Sequence, residues 1–196
     1  MSTVFTKSYA CPPISESEVL RYARAKVADA ETMALLGSVI SECEKAFSYK
    51  ICYVELDLTV TNCISDFGLF KIESKSLAKN LSGCNKAILF AGTVGIEIDR
   101  LIAKYSNLSP SRALILQAIG TERIEALCDA FCRDIDSLYP TKTRKRFSTG
   151  YGDAPLIAQR DIIRILDAPR KIGISLNESL LMSPTKSVTA FIGIEK

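Results

Sequence analysis

The chain has 196 residues, of which 47% are hydrophobic and 24% are charged, as in a globular protein with a sizeable core. This composition excludes a disordered chain, a collagen-like repeat and a coiled-coil rod. The net charge of +3 is too small to indicate a nucleic acid or an anionic membrane as a partner. No His is present, which excludes His-dependent metal sites and nucleophilic triads.

The chain shows no signal for export or for membrane insertion. No apolar run approaches the roughly 18 residues that a spanning helix needs. Residues 1–13 lack the basic-then-apolar order of a signal peptide. We therefore expect a cytoplasmic protein with no membrane partner, in which residues 1–14 form an N-terminal arm and residues 15–196 form one domain.

The N-terminal third of the chain predicts two helices and a strand. Ser15, followed by Glu18 three residues later, is typical of a capping box that begins a helix. Apolar residues at three- and four-residue spacing predict a second helix over 30–47. From 51 to 60 the period changes to two, which predicts a half-exposed strand with Cys52, Val54 and Leu56 on one face.

The next segments predict two more strands, separated by a short helix. We expect a strand over 67–73, a helix over 76–81 and a strand over 87–91. The last of these is continuously apolar, which indicates burial on both faces of a sheet. Gly92 and Gly95 follow it, but their spacing fits neither a P-loop nor a GxGxxG motif, so a tight turn is favoured over phosphate binding.

A long central helix and a mixed C-terminal part complete the predicted order. Ser109 as N-cap and Pro110 in the first turn begin a helix whose apolar pattern runs over 113–135. A basic connector follows at 141–149, and Asp153 is predicted to cap a further helix. Strands are predicted over 171–176 and 187–194, with an irregular segment at 178–182 between them. This mixed order predicts an α+β fold.

The seven Cys residues contain no CxxC pair. In a chain without an export signal, we interpret them as reduced and mostly buried residues. Iron–sulfur ligation is the alternative, and it usually requires closer spacing of the Cys residues.

The loop over 146–155 is the most informative local sequence. Gly150 and Gly152 flank Tyr151, after a basic run and before a predicted helix. Glycines in such a loop allow the backbone to approach a ligand beside a fixed aromatic ring. A plain connecting turn with a solvated basic run explains the same residues, and spacing alone does not separate the two interpretations.

A resemblance to a known family includes this loop. Arg146 to Tyr151 matches an Arg-x-x-x-Gly-Tyr pattern that resembles the ligand signature of the activation domain of vitamin B12-dependent methionine synthase. Further segments resemble the stand-alone bacterial form of that domain in the same order, at 89–102, 166–173, 177–184 and 186–193. The resemblance covers nearly the whole chain from Ser15 onward. It implies a single α+β domain with a twisted antiparallel sheet and packed helices.

The resemblance also implies a function. The family domain binds S-adenosylmethionine and supplies its methyl group to reactivate cobalamin that another module holds. The implied partners are a cobalamin-binding methionine synthase chain and a flavodoxin-type electron donor. Methyl transfer from a sulfonium needs no general base, so a site without His is acceptable.

The resemblance assigns roles to five residues of this chain. Arg146 suits the ligand carboxylate, because guanidinium binds carboxylate through two parallel hydrogen bonds. Tyr151 can face the sulfonium, Gly150 allows close approach of the backbone, and Phe147 is expected to offer a backbone group near the adenosine. Glu125, on the predicted central helix, is the candidate for the ligand amino group.

Two other functions stay open at this point. The chain could be an S-adenosylmethionine-binding regulatory or activator subunit of another corrinoid methyltransferase. It could also bind nucleic acid through the basic residues of 142–146, but no recognition motif accompanies them, and an acidic protein partner explains the same charges.

Overall fold

The computed structural model describes residues 3–25 and 29–196, and it confirms the predicted α+β fold. The helices are α1 (Glu16–Tyr22), α2 (Ala30–Cys43), α3 (Lys75–Asn80), α4 (Glu97–Leu108), α5 (Pro110–Leu138), α6 (Gln159–Ile165) and α7 (Ala168–Ile172). The strands are β1 (Phe5–Tyr9), β2 (Tyr49–Asp57), β3 (Thr59–Thr61), β4 (Ile64–Asp66), β5 (Lys71–Glu73), β6 (Cys84–Thr93), β7 (Ser175–Leu176), β8 (Met182–Ser183) and β9 (Ser187–Glu195).

The main sheet is antiparallel and has the strand order β1-β2-β6-β9. A second sheet joins β3, β4 and β5, and a third pairs β7 with β8. Each face of the main sheet is covered by its own apolar core, one built with α1, α2, α4 and α5 and the other with α3, α6 and α7. The sheet is therefore the middle layer of the molecule.

Strand β6 shows how the sequence separates the two cores. Ile88 and Phe90 pack into the core beside α5, whereas Leu89 and Ala91 pack into the core beside α6 and α7. Because successive side chains of a strand point to opposite faces, a continuously apolar strand supplies both layers. The prediction that 87–91 is buried on both faces is confirmed.

The central helix α5 is 29 residues long, which extends the predicted 113–135 at both ends. Pro110 lies in its first turn as expected, but the side chain of Ser109 accepts no capping hydrogen bond from the described backbone. A line of buried residues from Ile115 to Ile135 packs α5 against the sheet. The opposite, partly exposed side of the same helix carries the charged groups of the site.

The N-terminal segment contributes to the sheet, which the sequence analysis did not predict. Within the predicted arm 1–14, residues 1 and 2 lie outside the described residues, and Phe5–Tyr9 pairs with β2 from Tyr53 to Tyr49. Its burial pattern is mostly exposed, so the apolar alternation that identifies a strand is absent. The pairing with a distant strand, together with the bonds of Lys7 and Tyr9 to Asp134, shows that these residues belong to the domain.

Two predicted strands are largely wrong. Over 171–176, the chain first completes the helix α7, and only Ser175–Leu176 is extended. Pro169 suits the first turn of that helix, and Gly173, with φ of +77°, ends it in the left-handed conformation. Over 67–73, a turn at Gly68, also with φ of +77°, leaves only Lys71–Glu73 as a strand.

The cysteines are free throughout the chain, as the sequence predicts. Four of them are buried, at positions 43, 52, 84 and 128, and burial raises the pKa of these thiols. Among the described residues, no group of three or more His, Cys, Asp or Glu side chains is arranged to hold a metal ion. No helix in the described ranges has the length and apolar character needed to cross a membrane.

Candidate ligand site

A cavity of about 500 Å³ opens where α5, the loop that follows it and β9 meet. Its size is within the range of small-molecule sites. The lining residues are Glu125, Arg146, Phe147, Ser148, Thr149, Tyr151, Gln159, Met182, Ser187, Val188 and Thr189. Four of the five residues that the sequence analysis proposed, all but Gly150, are therefore brought together at one cavity.

Phe147 fixes the loop to the sheet. Its N–H donates to the carbonyl of Phe191 at 2.9 Å, and the Phe191 N–H donates to the carbonyl of Phe147 at 2.8 Å. Both backbone groups of Phe147 are therefore engaged with β9. The expectation that Phe147 offers a backbone group to a ligand stays a prediction, and its carbonyl, which has a second lone pair, is the group that can accept a further hydrogen bond.

The turn that presents Tyr151 depends on two glycines. Gly150 and Gly152 have φ values of +85° and +58°, in the left-handed region that favours glycine. Gly150 donates its N–H to the carbonyl of Ala154 at 3.0 Å, which closes the turn. Tyr151 is 70% exposed and lies at the mouth of the cavity. An exposed aromatic ring at a cavity mouth is free to contact a ligand.

Asp153 holds the far end of this turn, but not in the predicted way. Its carboxylate accepts hydrogen bonds from the Ser74 hydroxyl at 2.6 Å and from the N–H groups of Lys75 at 2.8 Å and Ser76 at 3.0 Å. These bonds hold the pKa of Asp153 well below its usual range. Asp153 therefore caps α3, which is remote in sequence, and the predicted cap of the following helix is wrong.

Arg146 forms the charged end of the cavity with Glu125, and it also binds Asp129, which is not among the lining residues. The Nη2 of Arg146 donates to Glu125 Oε2 at 2.5 Å, and its Nη1 donates to Asp129 Oδ1. Glu125 and Asp129 are four residues apart on α5, so they lie one turn apart on one face of the helix. Burial opposes the charge of Arg146, but the bond to Asp129 and the neighbouring negative charges raise its pKa above the ordinary value. The guanidinium stays charged, and its two bonded carboxylates hold it in one orientation at the cavity.

Five polar residues of the cavity lining were missed by the sequence analysis, and three of these have a buried side-chain atom without a partner in the described chain. Thr149 follows the Arg146 segment, Gln159 begins α6, and Thr189 lies in β9. All three are buried, and they come from a loop, a helix and a strand. No spacing rule connects positions that only the fold brings together.

The basic connector is largely engaged within the chain. Arg144 donates from Nη2 to the carbonyl of Ser82 at 2.8 Å and lies 3.2 Å from the Glu195 carboxylate. Arg146 is bonded to Glu125 and Asp129, as described above. The exposed basic side chains of this run are those of positions 142 and 145, which is a small surface for phosphate contacts.

The chain matches no protein-family model, and no curated protein matches it in sequence. A similar solved structure is the crystal structure of the MetH reactivation domain bound to AdoHcy, with a TM-score of 0.71 and 13% sequence identity. The match covers 98% of this chain and 78% of that chain. The chain therefore has the fold of the MetH reactivation domain over almost its whole length.

Proposed function

We propose that the cavity binds S-adenosylmethionine and that the chain is a reactivation component for a cobalamin-dependent methionine synthase. The observation that carries this proposal is the convergence of Arg146, Glu125 and Tyr151 on one cavity, in a chain whose fold is that of a domain solved with AdoHcy. These residues supply an anion site, a cation site and an aromatic surface.

The amino-acid part of the ligand fits the charged end. A zwitterion brings one carboxylate and one ammonium group, and the cavity has Arg146 for the first and Glu125 for the second. In the ligand-free chain these two side chains neutralise each other across 2.5 Å. Binding then exchanges one internal ion pair for two pairs with the ligand, which favours ligands that carry both charges.

The sulfonium centre fits the mouth of the cavity. Tyr151 lies there and is mostly exposed. An aromatic face attracts a cation by about 0.5–2 kcal/mol, depending on how far the pair is removed from water. This position leaves the methyl group near the opening, where a docked partner can reach it.

Methyl transfer requires a partner chain in this proposal. The partner's cobalamin, reduced by a flavodoxin-type donor, supplies the nucleophile that accepts the methyl group. The residues of this chain bind and orient the sulfonium, which is the contribution that alignment of reacting groups makes to such a step. Because the transfer needs no proton removal, the His-free cavity suits it. We place the reaction in the cytoplasm.

Isothermal titration of the purified chain with S-adenosylmethionine tests the binding step. We expect saturable binding that Arg146→Ala weakens by about a hundredfold, the cost of losing a charged hydrogen-bond pair to the ligand. Arg164→Ala is the matched control, because Arg164 forms an exposed pair with Asp161 on α6. No binding by the wild-type chain, alone or with a cobalamin-loaded partner, would refute the proposal.

A second assay tests the transfer step. The chain is mixed with a cobalamin-loaded methionine synthase that lacks its own activation domain, a reductant and S-adenosylmethionine with a labelled methyl group. We expect labelled methionine only when homocysteine and the chain are both present. Binding without transfer would instead support a regulatory subunit of another corrinoid methyltransferase.

A further inference from the structure

Three buried polar atoms at the cavity have no hydrogen-bond partner within the described chain. They are Thr149 Oγ1, Gln159 Oε1 and Thr189 Oγ1. Their residues are 5%, 6% and 2% exposed, so bulk water does not solvate them. Leaving a buried polar group without a partner costs about 1–3 kcal/mol, and three such groups at one cavity form an unusual cluster.

The fold brings these atoms together from three separate elements. Phe147 pairs with Phe191 in an antiparallel bridge, which brings the start of the loop that carries Thr149 beside β9, the strand that carries Thr189. Gln159 enters from the first residue of α6. All three residues line the cavity, so their unpartnered atoms lie in its wall, where a change of rotamer is the movement that would turn each one toward a ligand.

This polar wall, defined by Thr149, Gln159 and Thr189, differs from the charged end of the same cavity. Arg146 and Glu125 are each bonded in the ligand-free chain, whereas the polar wall is not. Threonine hydroxyls donate and accept, and a glutamine amide offers a donor and an acceptor. The polar wall therefore suits a neutral ligand part that carries hydroxyl and amine groups.

We propose that the polar wall binds the nucleoside part of the ligand, through the ribose hydroxyls and the polar edge of the base. This inference rests on the proposed function, because it divides one ligand between two ends of one cavity. The charged end binds the amino-acid part of the ligand, and the polar wall binds the sugar and the base. The ligand then satisfies the three buried atoms that the ligand-free chain leaves without partners.

Two ligands and two kinds of variant test this division. The probes are S-adenosylmethionine and 5′-deoxy-5′-methylthioadenosine, which has the nucleoside but no amino-acid part. The variants are Thr149→Val, Thr189→Val and Gln159→Met, each close in volume to the natural residue. We expect each to weaken both ligands by about five- to tenfold, the usual effect of one hydrogen bond. Arg146→Ala should weaken only S-adenosylmethionine.

Thermal unfolding without ligand gives a second readout. Thr149→Val or Thr189→Val removes a buried hydroxyl that has no partner and keeps the shape, so we expect the melting temperature to stay equal or rise. A residue with a merely structural role would lower the melting temperature without separating the two ligands. Weaker ligand binding together with undiminished stability supports the polar wall as a ligand contact.

The outcomes separate this inference from the proposed function. If the wild-type chain binds neither ligand, the proposed function fails. If the wild-type chain binds S-adenosylmethionine and all three variants keep wild-type affinity for both ligands, the division of the cavity is wrong and the proposed function stands. A fall in melting temperature with unchanged affinity would show that ordered water satisfies these atoms.

Discussion

Two arginines near the central helix make the same kind of ion pair in opposite surroundings. Arg123 lies on α5 with its side chain 0% exposed, and it pairs with Glu122 at 2.5 Å. Arg146 lies beyond α5 with its side chain 26% exposed, and it pairs with Glu125 at the same distance. The chemical partners are equivalent, but the pair of Arg123 is buried (the closed pair), whereas the pair of Arg146 borders the cavity (the open pair).

The remaining N–H donors of Arg123 bind backbone carbonyls of the N-terminal segment. Its Nη1 and Nη2 donate to the carbonyls of Pro12 and Pro13, at 2.5 and 2.8 Å, while Glu122 accepts from the N–H of Ser15 at 3.3 Å. The pair therefore fastens the N-terminal segment to α5 before α1 begins. Arg146, by contrast, binds only side chains that can rotate away, so its partners can be exchanged.

The largest effect on stability that we expect comes from breaking the buried pair of Arg123 and Glu122. Arg123→Met leaves Glu122 buried without its counter-charge and frees two proline carbonyls, so it should destabilise the fold by about 3–5 kcal/mol. Urea unfolding measures this. The control is Arg164→Ala, whose exposed pair should contribute under about 1 kcal/mol.

A double variant shows where the cost arises. Glu122→Leu with Arg123→Met removes both charges, so it should be less destabilised than Arg123→Met alone. If both single and double variants unfold at the wild-type urea concentration, the pair does not hold the N-terminal segment in the way we describe.

The second effect concerns the pair of Arg146 with Glu125, which borders the cavity. Here we expect a loss of ligand binding and little change in stability. Arg146→Ala should change the stability by less than about 1 kcal/mol, since its partners reach solvent when they are released. The same variant should lose S-adenosylmethionine binding. A loss of stability as large as that of Arg123→Met would show that the open pair is structural and would break the comparison.

This contrast also marks the limit of prediction from sequence. The period-two pattern identified the face of β2 that carries Cys52, Val54 and Leu56, and those residues share one core. Local patterns succeed there because they follow from the geometry of a single strand. The same patterns do not distinguish Arg123 from Arg146, since burial depends on what packs against each residue.

The site shows the same limit in more detail. The resemblance to a known domain identified Arg146, Tyr151 and Glu125, which the fold brings to one cavity. Asp129 and the polar wall were missed, because their roles depend on contacts between elements that are distant along the chain. For example, Thr189 looks like any polar residue of a strand until the bridge between Phe147 and Phe191 brings the loop that carries Thr149 beside β9.

A third and smaller effect concerns Asp129, which holds Nη1 of Arg146 while Nη2 faces Glu125. When Glu125 is released to a ligand ammonium, Asp129 keeps the guanidinium oriented. We expect Asp129→Asn to weaken S-adenosylmethionine binding by about five- to tenfold, a loss typical of one hydrogen bond, because Asp129 acts on the ligand only through Arg146. It should leave 5′-deoxy-5′-methylthioadenosine unaffected. Equal losses for both ligands would show that Asp129 supports the fold rather than Arg146.

The smallest effect is a pH dependence at the turn that carries Tyr151. The bonds from Ser74, Ser76 and Lys75 depress the pKa of Asp153 in the folded chain below its unfolded value near 3.9. A depressed folded pKa contributes stability above the unfolded pKa, and that contribution is lost as the pH falls below about 4. The turn should therefore be held most firmly at neutral pH.

Asp153→Asn provides the matched comparison, because it keeps the shape and removes the titrating charge. We expect the variant to melt below the wild type at pH 7, and the difference between the two melting temperatures to shrink as the pH is lowered from about 4. Thermal unfolding of both proteins over a pH series measures it. A difference that stays constant with pH would mean that the charge of Asp153 does not hold this turn against α3. The position of Tyr151 would then depend on the backbone bonds of the turn and on the left-handed conformations of Gly150 and Gly152, which do not change with pH.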